Sequence, residues 1–234
     1  MKTGQNCSRI WEIDFFRGIA LAIMVYWHIL FDMKEFYGYN VNYESVFNQV
    51  LGKISVILFI LISGISCSFS RSNTKRGLRI LGMALAITLV SYLYNPGYCI
   101  KFGILHFLGT SILIYPVFRR INKYALPAIG AAIIILGYFF ARINPPHNYF
   151  FIFGITNSKF SSADYYPIAP WFGVFLYGVA LGKIIYAQKR SIINFPVKEN
   201  ILNIIGRHTL PIYILHQPVI LAVLEFVKRI TAMS

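Results

Sequence analysis

Charge divides this chain into long silent runs. When every Asp, Glu, Lys and Arg is marked, uncharged stretches remain at 54–70, 80–100, 102–118, 124–141, 165–182 and 208–224. About 17 to 25 mostly apolar residues in a helix cross a hydrocarbon core, so all six are long enough to span. A seventh run, Gly18 to Phe31, is shorter between charges and reaches full length when Asp14, Arg17 and Asp32 lie at or inside its ends. The pattern predicts an all-α, polytopic membrane helix bundle of about seven transmembrane helices, in a single transmembrane domain over residues 1–234. The first run is too charged, and too closely followed by others, to be a cleaved signal peptide. The one long connection, Arg142 to Pro170, is bounded by breakers, Asn144-Pro145-Pro146-His147 at its start and Asp164-Tyr-Tyr-Pro-Ile-Ala-Pro-Trp171 at its end. Its aromatic middle, Tyr149 to Ile155, suits a segment lying on or dipping into the outer leaflet.

Composition agrees and then adds orientation. The chain is 57% hydrophobic and 13% charged, against about 25% charged in soluble domains, and its mean hydropathy is +0.60. A net charge of +14 would suggest nucleic acid in a soluble protein. Here the cations punctuate apolar runs instead of forming one solvated patch, so the partner is the lipid bilayer and not nucleic acid. With seven spans, fourteen Lys and Arg fall on the side of the N-terminus, among them Arg71, Arg79 and Arg207, and seven fall on the other side. The positive-inside rule then puts the N-terminus in the cytoplasm and the C-terminus outside. Gly178-x-x-x-Gly182 permits close helix packing, within the chain or at a homodimer face.

Ionisable groups at membrane depth are costly and mark function. Asp14 and Arg17 are three apart, on one helical face, and can pair. His28 follows Arg17 by eleven residues, about 16 Å of helix, near the middle of the bilayer. Asp32 is one turn further along the same face, the spacing at which a carboxylate can orient an imidazole as a general base. His216 lies nine residues beyond Arg207 and is level with His28, and His106 is level with Asp32. Pro211 and Pro218 deprive the carbonyls of Arg207 and Ile214 of their helical donors, leaving free acceptors near His216. Three histidines on separate spans predict a polar cavity. Their spacing carries no metal-ligand motif, so no metal is expected.

Five blocks in chain order carry a resemblance. Arg9-Ile-Trp-Glu-Ile-Asp14-Phe-Phe-Arg17-Gly18 with His28-x-x-x-Asp32 comes first, then Ser63-Gly64-Ile-Ser66, then Gly103-Ile-Leu-His106-Phe-Leu-Gly109. Asp164-Tyr-Tyr-Pro-Ile-Ala-Pro-Trp171-Phe-Gly173 and Gly206-Arg207-His208-Thr-Leu-Pro-Ile-Tyr-Ile-Leu-His216-Gln217-Pro218 complete the set. Together they resemble bacterial members of the heparan-alpha-glucosaminide N-acetyltransferase catalytic-domain family. The opening Arg-Gly-x-Ala followed by His, and the closing Leu-His-Gln-Pro, are also similar to membrane acyltransferases of the acyltransferase-three type. The lysosomal member of the family has further spans and a lumenal domain. Its catalytic histidine lies in an outer-side stretch, so the role given to His28 rests on its geometry and on the acyltransferase-three pattern.

The resemblance implies an integral protein, of the cytoplasmic membrane in a bacterium, that takes acetyl from cytoplasmic acetyl-CoA and delivers it to an amine or hydroxyl of an extracytoplasmic sugar or glycan. On this reading His28, oriented by Asp32, is the general base, and His106 and His216 complete the catalytic cavity. Gln217 stabilises the oxyanion or binds acceptor, with Asp164 and Trp171 as further acceptor-binding candidates. Arg17, Arg71, Arg79 and Arg207 would meet the phosphates of the donor. Two other classes fit the same polar groups, a solute or proton-coupled transporter and a non-catalytic membrane subunit. Thioester hydrolysis separates the enzyme from both.

Overall fold

The computed structural model describes residues 10–70, 72–193 and 200–233. Among these residues the regular structure is helical: α1 (Trp11–Glu35), α2 (Val46–Cys67), α3 (Asn73–Tyr94), α4 (Ile104–Phe118), α5 (Leu126–Phe140), α6 (Ile168–Ile184), α7 (Ile201–Arg207) and α8 (Thr209–Met233). Four of them, α1, α2, α3 and α8, are long and apolar enough to cross a membrane, while α4, α5 and α6 are shorter apolar helices. Each expected span therefore has a helix, and the boundaries differ for a physical reason. Helix α3 starts at Asn73 and runs through Lys75, Arg76 and Arg79, because Lys and Arg are good helix formers whose long stems let the charge reach water. It ends at Asn95-Pro96-Gly97, where proline cannot continue it. Helix α8 passes Glu225, Lys228 and Arg229 in the same way.

The chain divides into two compact units, Met1–Phe59 with Arg190–Ser234 and Ile60–Lys189, the division falling inside α2. In the first unit α1 is the spine. The buried Ser55 hydroxyl donates to the Ala20 carbonyl at 2.7 Å, and the Tyr26 hydroxyl donates to Asn48 Oδ1 at 3.2 Å. Rising numbers on α1 meet falling numbers on α2, so the two helices are antiparallel. Helix α8 does the opposite: His216 lies against His28, Gln217 bonds Asp32, and the Tyr37 hydroxyl donates to the Leu221 carbonyl at 3.0 Å. Helices α1 and α8 thus run parallel.

The short α7 was not anticipated from the sequence. Asn200 caps its start, accepting from the Asn203 N–H at 2.9 Å. A methyl group at Gly18 would stand 2.1 Å from the Leu202 carbonyl oxygen, and one at Gly206 would stand 1.8 Å from the Asp14 carbonyl oxygen. Only glycine lets these backbones approach, and the paired numbers show α7 running antiparallel to α1.

In the second unit α3 packs with α4 and α5 with α6. Phe107, Phe175, Leu176 and Val179 are fully buried at its core. The long connection is ordered by Asn157, whose side-chain oxygen accepts from Asn148 Nδ2 and whose N–H donates to Asn148 Oδ1, both at 2.8 Å. Tyr149, Phe150 and Phe153 are exposed, as an aromatic segment at an interface is.

The backbone crossing of α1 and α7 is open to test. Gly206→Ala forces a methyl into the Asp14 backbone and should lower the melting temperature of the detergent-solubilised protein, overpacking of this kind costing about 1–3 kcal/mol. Gly82→Ala is the control, since nothing lies within 4 Å of an added Cβ there and alanine is the better helix former. It should leave the melting temperature unchanged or raise it.

Candidate functional site

At the N-terminal end of α1 the close crossing with α7 brings three charged side chains together. Asp14 is 4% exposed at its side chain and meets Arg17 Nη1 at 3.3 Å through Oδ1 and Arg207 Nε at 3.8 Å through Oδ2. The expected Asp14 and Arg17 pair is present, and Arg207 joins it across the helix crossing. The Arg17 and Arg207 side chains are 26% and 36% exposed. Two residues before Asp14, Glu12 Oε1 accepts from the Ser191 hydroxyl at 2.6 Å and from the N–H groups of Ile192 and Ile193 at 2.8 and 3.1 Å. That carboxylate ties residues 191–193 to the start of α1, and sequence reading had no sign of it because its partners, one hydroxyl and two backbone N–H groups, are far away in the chain.

Deeper along α1, His28 and Asp32 face α8 one turn apart. The ring of His28 meets the ring of His216 edge-on, with centroids 4.9 Å apart. Asp32 is fully buried and both its oxygens accept from Gln217 Nε2 at 2.9 Å. No hydrogen bond joins Asp32 to His28 among the described residues, so the carboxylate expected to orient His28 holds Gln217 instead. The physical reason is reach: the parallel α8 places an amide donor directly on the carboxylate.

The tautomer of His216 follows from its partner. Nδ1 bonds the Tyr213 carbonyl one turn back, and a carbonyl can only accept, so Nδ1 carries the proton. In a neutral imidazole the lone pair then resides on Nε2. That atom is buried and without a hydrogen-bond partner, as is Gln217 Oε1. Two adjacent residues of α8 therefore present two buried acceptor atoms without a protein partner. Nearly all buried polar atoms in proteins are satisfied, so such a pair points to a ligand or a water.

The remaining candidates are placed as follows. His106 lies in the second unit and its Nε2 is 3.0 Å from Thr88 Oγ1. The Thr88 hydroxyl gives its proton to the Ile100 carbonyl, so it accepts from His106, whose Nε2 is a donor committed to holding α3 against α4. Asp164 Oδ2 accepts from the Ile104 N–H at 2.9 Å and so caps the first turn of α4. Gly103 leaves the space for that carboxylate, since a Cβ there would stand 2.2 Å from Oδ2. The Trp171 ring packs edge-on against Tyr166 with centroids 5.3 Å apart. Arg79 is exposed on α3. Arg71 lies outside the described residues, as do Lys2, Cys7, Arg9 and Lys198.

Among families of known proteins, the model described as Heparan-alpha-glucosaminide N-acetyltransferase, catalytic, matches residues 9–218. No curated protein and no solved structure matches the chain.

Burial in the loop before α6 pushes the Asp164 carboxyl up to about 6, against the lowering effect of the Ile104 N–H. An unfolded aspartate titrates near about 3.9. Between these values the unfolded chain loses its proton and the folded one keeps it, so this group's contribution to stability should be full below about pH 4 and lost as pH rises through about 6. The melting temperature of wild type should therefore fall over this window, and the fall should be smaller in Asp164→Asn, which cannot ionise. Parallel pH profiles in the two proteins would exclude this assignment.

Proposed function

The chain belongs to the heparan-alpha-glucosaminide N-acetyltransferase catalytic family, and on that premise we propose that it moves acetyl from cytoplasmic acetyl-CoA to an amine or hydroxyl of an extracytoplasmic sugar or glycan. It is an integral membrane protein with several apolar helices of spanning length. The observation that carries the reading is the His28 and His216 pair, with a buried and unpartnered lone pair on His216 Nε2.

In the reaction the acceptor nitrogen or oxygen attacks the thioester carbonyl and forms the new C–N or C–O bond. Its proton passes to His216 Nε2, the C–S bond breaks, and coenzyme A leaves as the thiol after regaining a proton. General-base assistance of this kind contributes about 10²- to 10⁴-fold. The base role moves from His28 to His216 because the hydrogen bond that fixes a tautomer is made by His216. His28 lines the same space and faces the ring that becomes cationic. At the other end of α1, Arg17 and Arg207 would receive the donor's phosphates, their positions set by Asp14 between them.

The seven-span topology has support of two kinds. Fourteen cations against seven favour a cytoplasmic N-terminus. Independently, parallel spans must be separated by an odd number of crossings. The four long helices alone would put two crossings, α2 and α3, between α1 and α8, which makes those two antiparallel. Counting α4, α5 and α6 as crossings puts five between them, in keeping with the parallel direction of the His28–His216, Asp32–Gln217 and Tyr37–Leu221 contacts.

Two measurements test the proposal. Inside-out vesicles given acetyl-CoA labelled in the acetyl group should transfer label to a lumenal amino sugar, and His216→Ala should lower the rate by about 10²- to 10⁴-fold with donor binding retained. A variant that keeps full specific activity removes His216 from the mechanism. For topology, in a protein whose native cysteines are replaced, Ser158→Cys should react with an impermeant thiol reagent in intact cells and Ser72→Cys only after permeabilisation. The reverse result inverts the orientation.

A further inference from the structure

Asp32 and Gln217 form a device that the transfer chemistry does not require. A primary amide is nearly symmetrical in shape, with a donor at one end and an acceptor at the other, and in most settings it can turn over to suit its neighbours. Here it cannot. Both Asp32 oxygens lie 2.9 Å from Gln217 Nε2, and turning the amide would set its oxygen against a buried carboxylate. Asp32 is 0% exposed, so the repulsion would be unscreened. The amide oxygen is thereby fixed on the side away from Asp32, and it is buried with no partner.

The neighbouring residue presents a second acceptor, His216 Nε2, also buried and without a partner. The contacts His28 with His216 and Asp32 with Gln217 fall one turn apart on the same face of α1, so the two acceptors belong to neighbouring residues of the contact between α1 and α8. A molecule that satisfies both must bring two donors. One is the N–H or O–H that loses its proton in the reaction, and the other is a group that only binds.

We propose that Gln217 is a specificity-determining residue whose Oε1, held in place by Asp32 as a positioning residue, selects acceptors carrying a second hydrogen-bond donor beside the nucleophile, as a vicinal amino alcohol or diol does. The inference rests on the acetyltransferase reading above and adds the feature of the acceptor that the site recognises. A site built around a buried acceptor rejects an analogue that lacks the matching donor, because the acceptor is then left without a bond. Such rejection reaches about 10⁴-fold or more in favourable cases. In Asp32→Asn the new amide can donate as well as accept, so Gln217 is free to turn over and its oxygen is no longer dedicated to the substrate.

The test uses the full-length protein in proteoliposomes with acetyl-CoA and two acceptors, the methyl glycoside of glucosamine and its 3-deoxy analogue, which lacks the hydroxyl next to the amine. Wild type should favour the first by at least about a hundredfold in kcat/KM. Gln217→Met, close in shape but without the amide, should reduce that ratio to less than about tenfold, with the change in the KM of the hydroxyl-bearing acceptor. Asp32→Asn should reduce it too, although Gln217 is intact. Coenzyme A binding measured on the same preparations confirms that each variant is folded, and the isosteric Asp32→Asn keeps the test usable if Gln217→Met does not fold. Equal use of both acceptors by wild type, or an undiminished ratio in a folded variant of either residue, overturns the proposal while leaving the acetyltransferase reading intact. A loss of rate equal for both acceptors also overturns it, since that is the mark of a purely structural role. Failure of wild type to acetylate either acceptor, or any envelope glycan, overturns the acetyltransferase reading and this inference with it.

Discussion

The carboxylate of Asp32 cannot be left alone where it lies. A buried charge without partners costs several kcal/mol, and Asp32 is 0% exposed. The amide of Gln217 answers that demand with two contacts at 2.9 Å, and in doing so it fixes how α8 is rotated about its own axis against α1. Once Gln217 faces Asp32, the preceding residue His216 has to lie near the preceding turn of α1, and the residue there is His28. The histidine pair is thus a consequence of the acid and amide contact, and a change at Asp32 would be felt at His216 without touching it.

A second constraint acts at the opposite end of α1. Gly18 and Gly206 remove the side chains that would otherwise keep α1 and α7 apart, and each glycine is flanked by an arginine, Arg17 before one helix position and Arg207 after the other. Close backbones therefore bring both guanidinium groups to the single carboxylate of Asp14. Read as sequence, Arg17-Gly18 and Gly206-Arg207 look like charged motifs awaiting a ligand. In the fold the glycine half of each motif makes the crossing and the arginine half closes it, so their first task is structural. A phosphate would join an arrangement already organised by Asp14, which limits how far either side chain can move to meet it.

Much of the fold was legible because the bilayer leaves a simple mark: charge is excluded from the runs that cross it. The helix beginning at Trp11 reached its full length with Asp14, Arg17 and Asp32 inside it, as the apolar pattern of Gly18 to Phe31 required. Helix α7 was missed because seven residues are too few for a hydropathy signal, although Asn200 as a cap and Gly206 near the end were present to be read. Partner choice was the less legible part. The i,i+4 spacing of His28 and Asp32 made them neighbours but could not say that a longer amide from another helix would reach the carboxylate first. Asp164 and His106 show the same limit. Both stood out as ionisable groups in motifs, yet one caps α4 through the Ile104 N–H and the other is bonded to Thr88, contacts to a backbone group and a hydroxyl that spacing does not encode.

The two imidazoles facing each other differ in their hydrogen bonding for a reason that lies in helix geometry. His216 can reach back to the Tyr213 carbonyl because a helical side chain leans toward the N-terminal turn, and that bond removes the choice of tautomer. His28 makes no such bond among the described residues, so its proton can sit on either nitrogen and its ring can respond when the neighbouring ring gains a proton. Under the proposed mechanism the fixed lone pair of His216 would take the proton, and a neighbour 4.9 Å away would need the freedom to turn its own lone pair toward the new charge. The parallel course of α1 and α8 sets the two rings side by side, with the histidine bonded to the Tyr213 carbonyl on the helix that also carries Gln217 and its neighbour on the helix that carries Asp32.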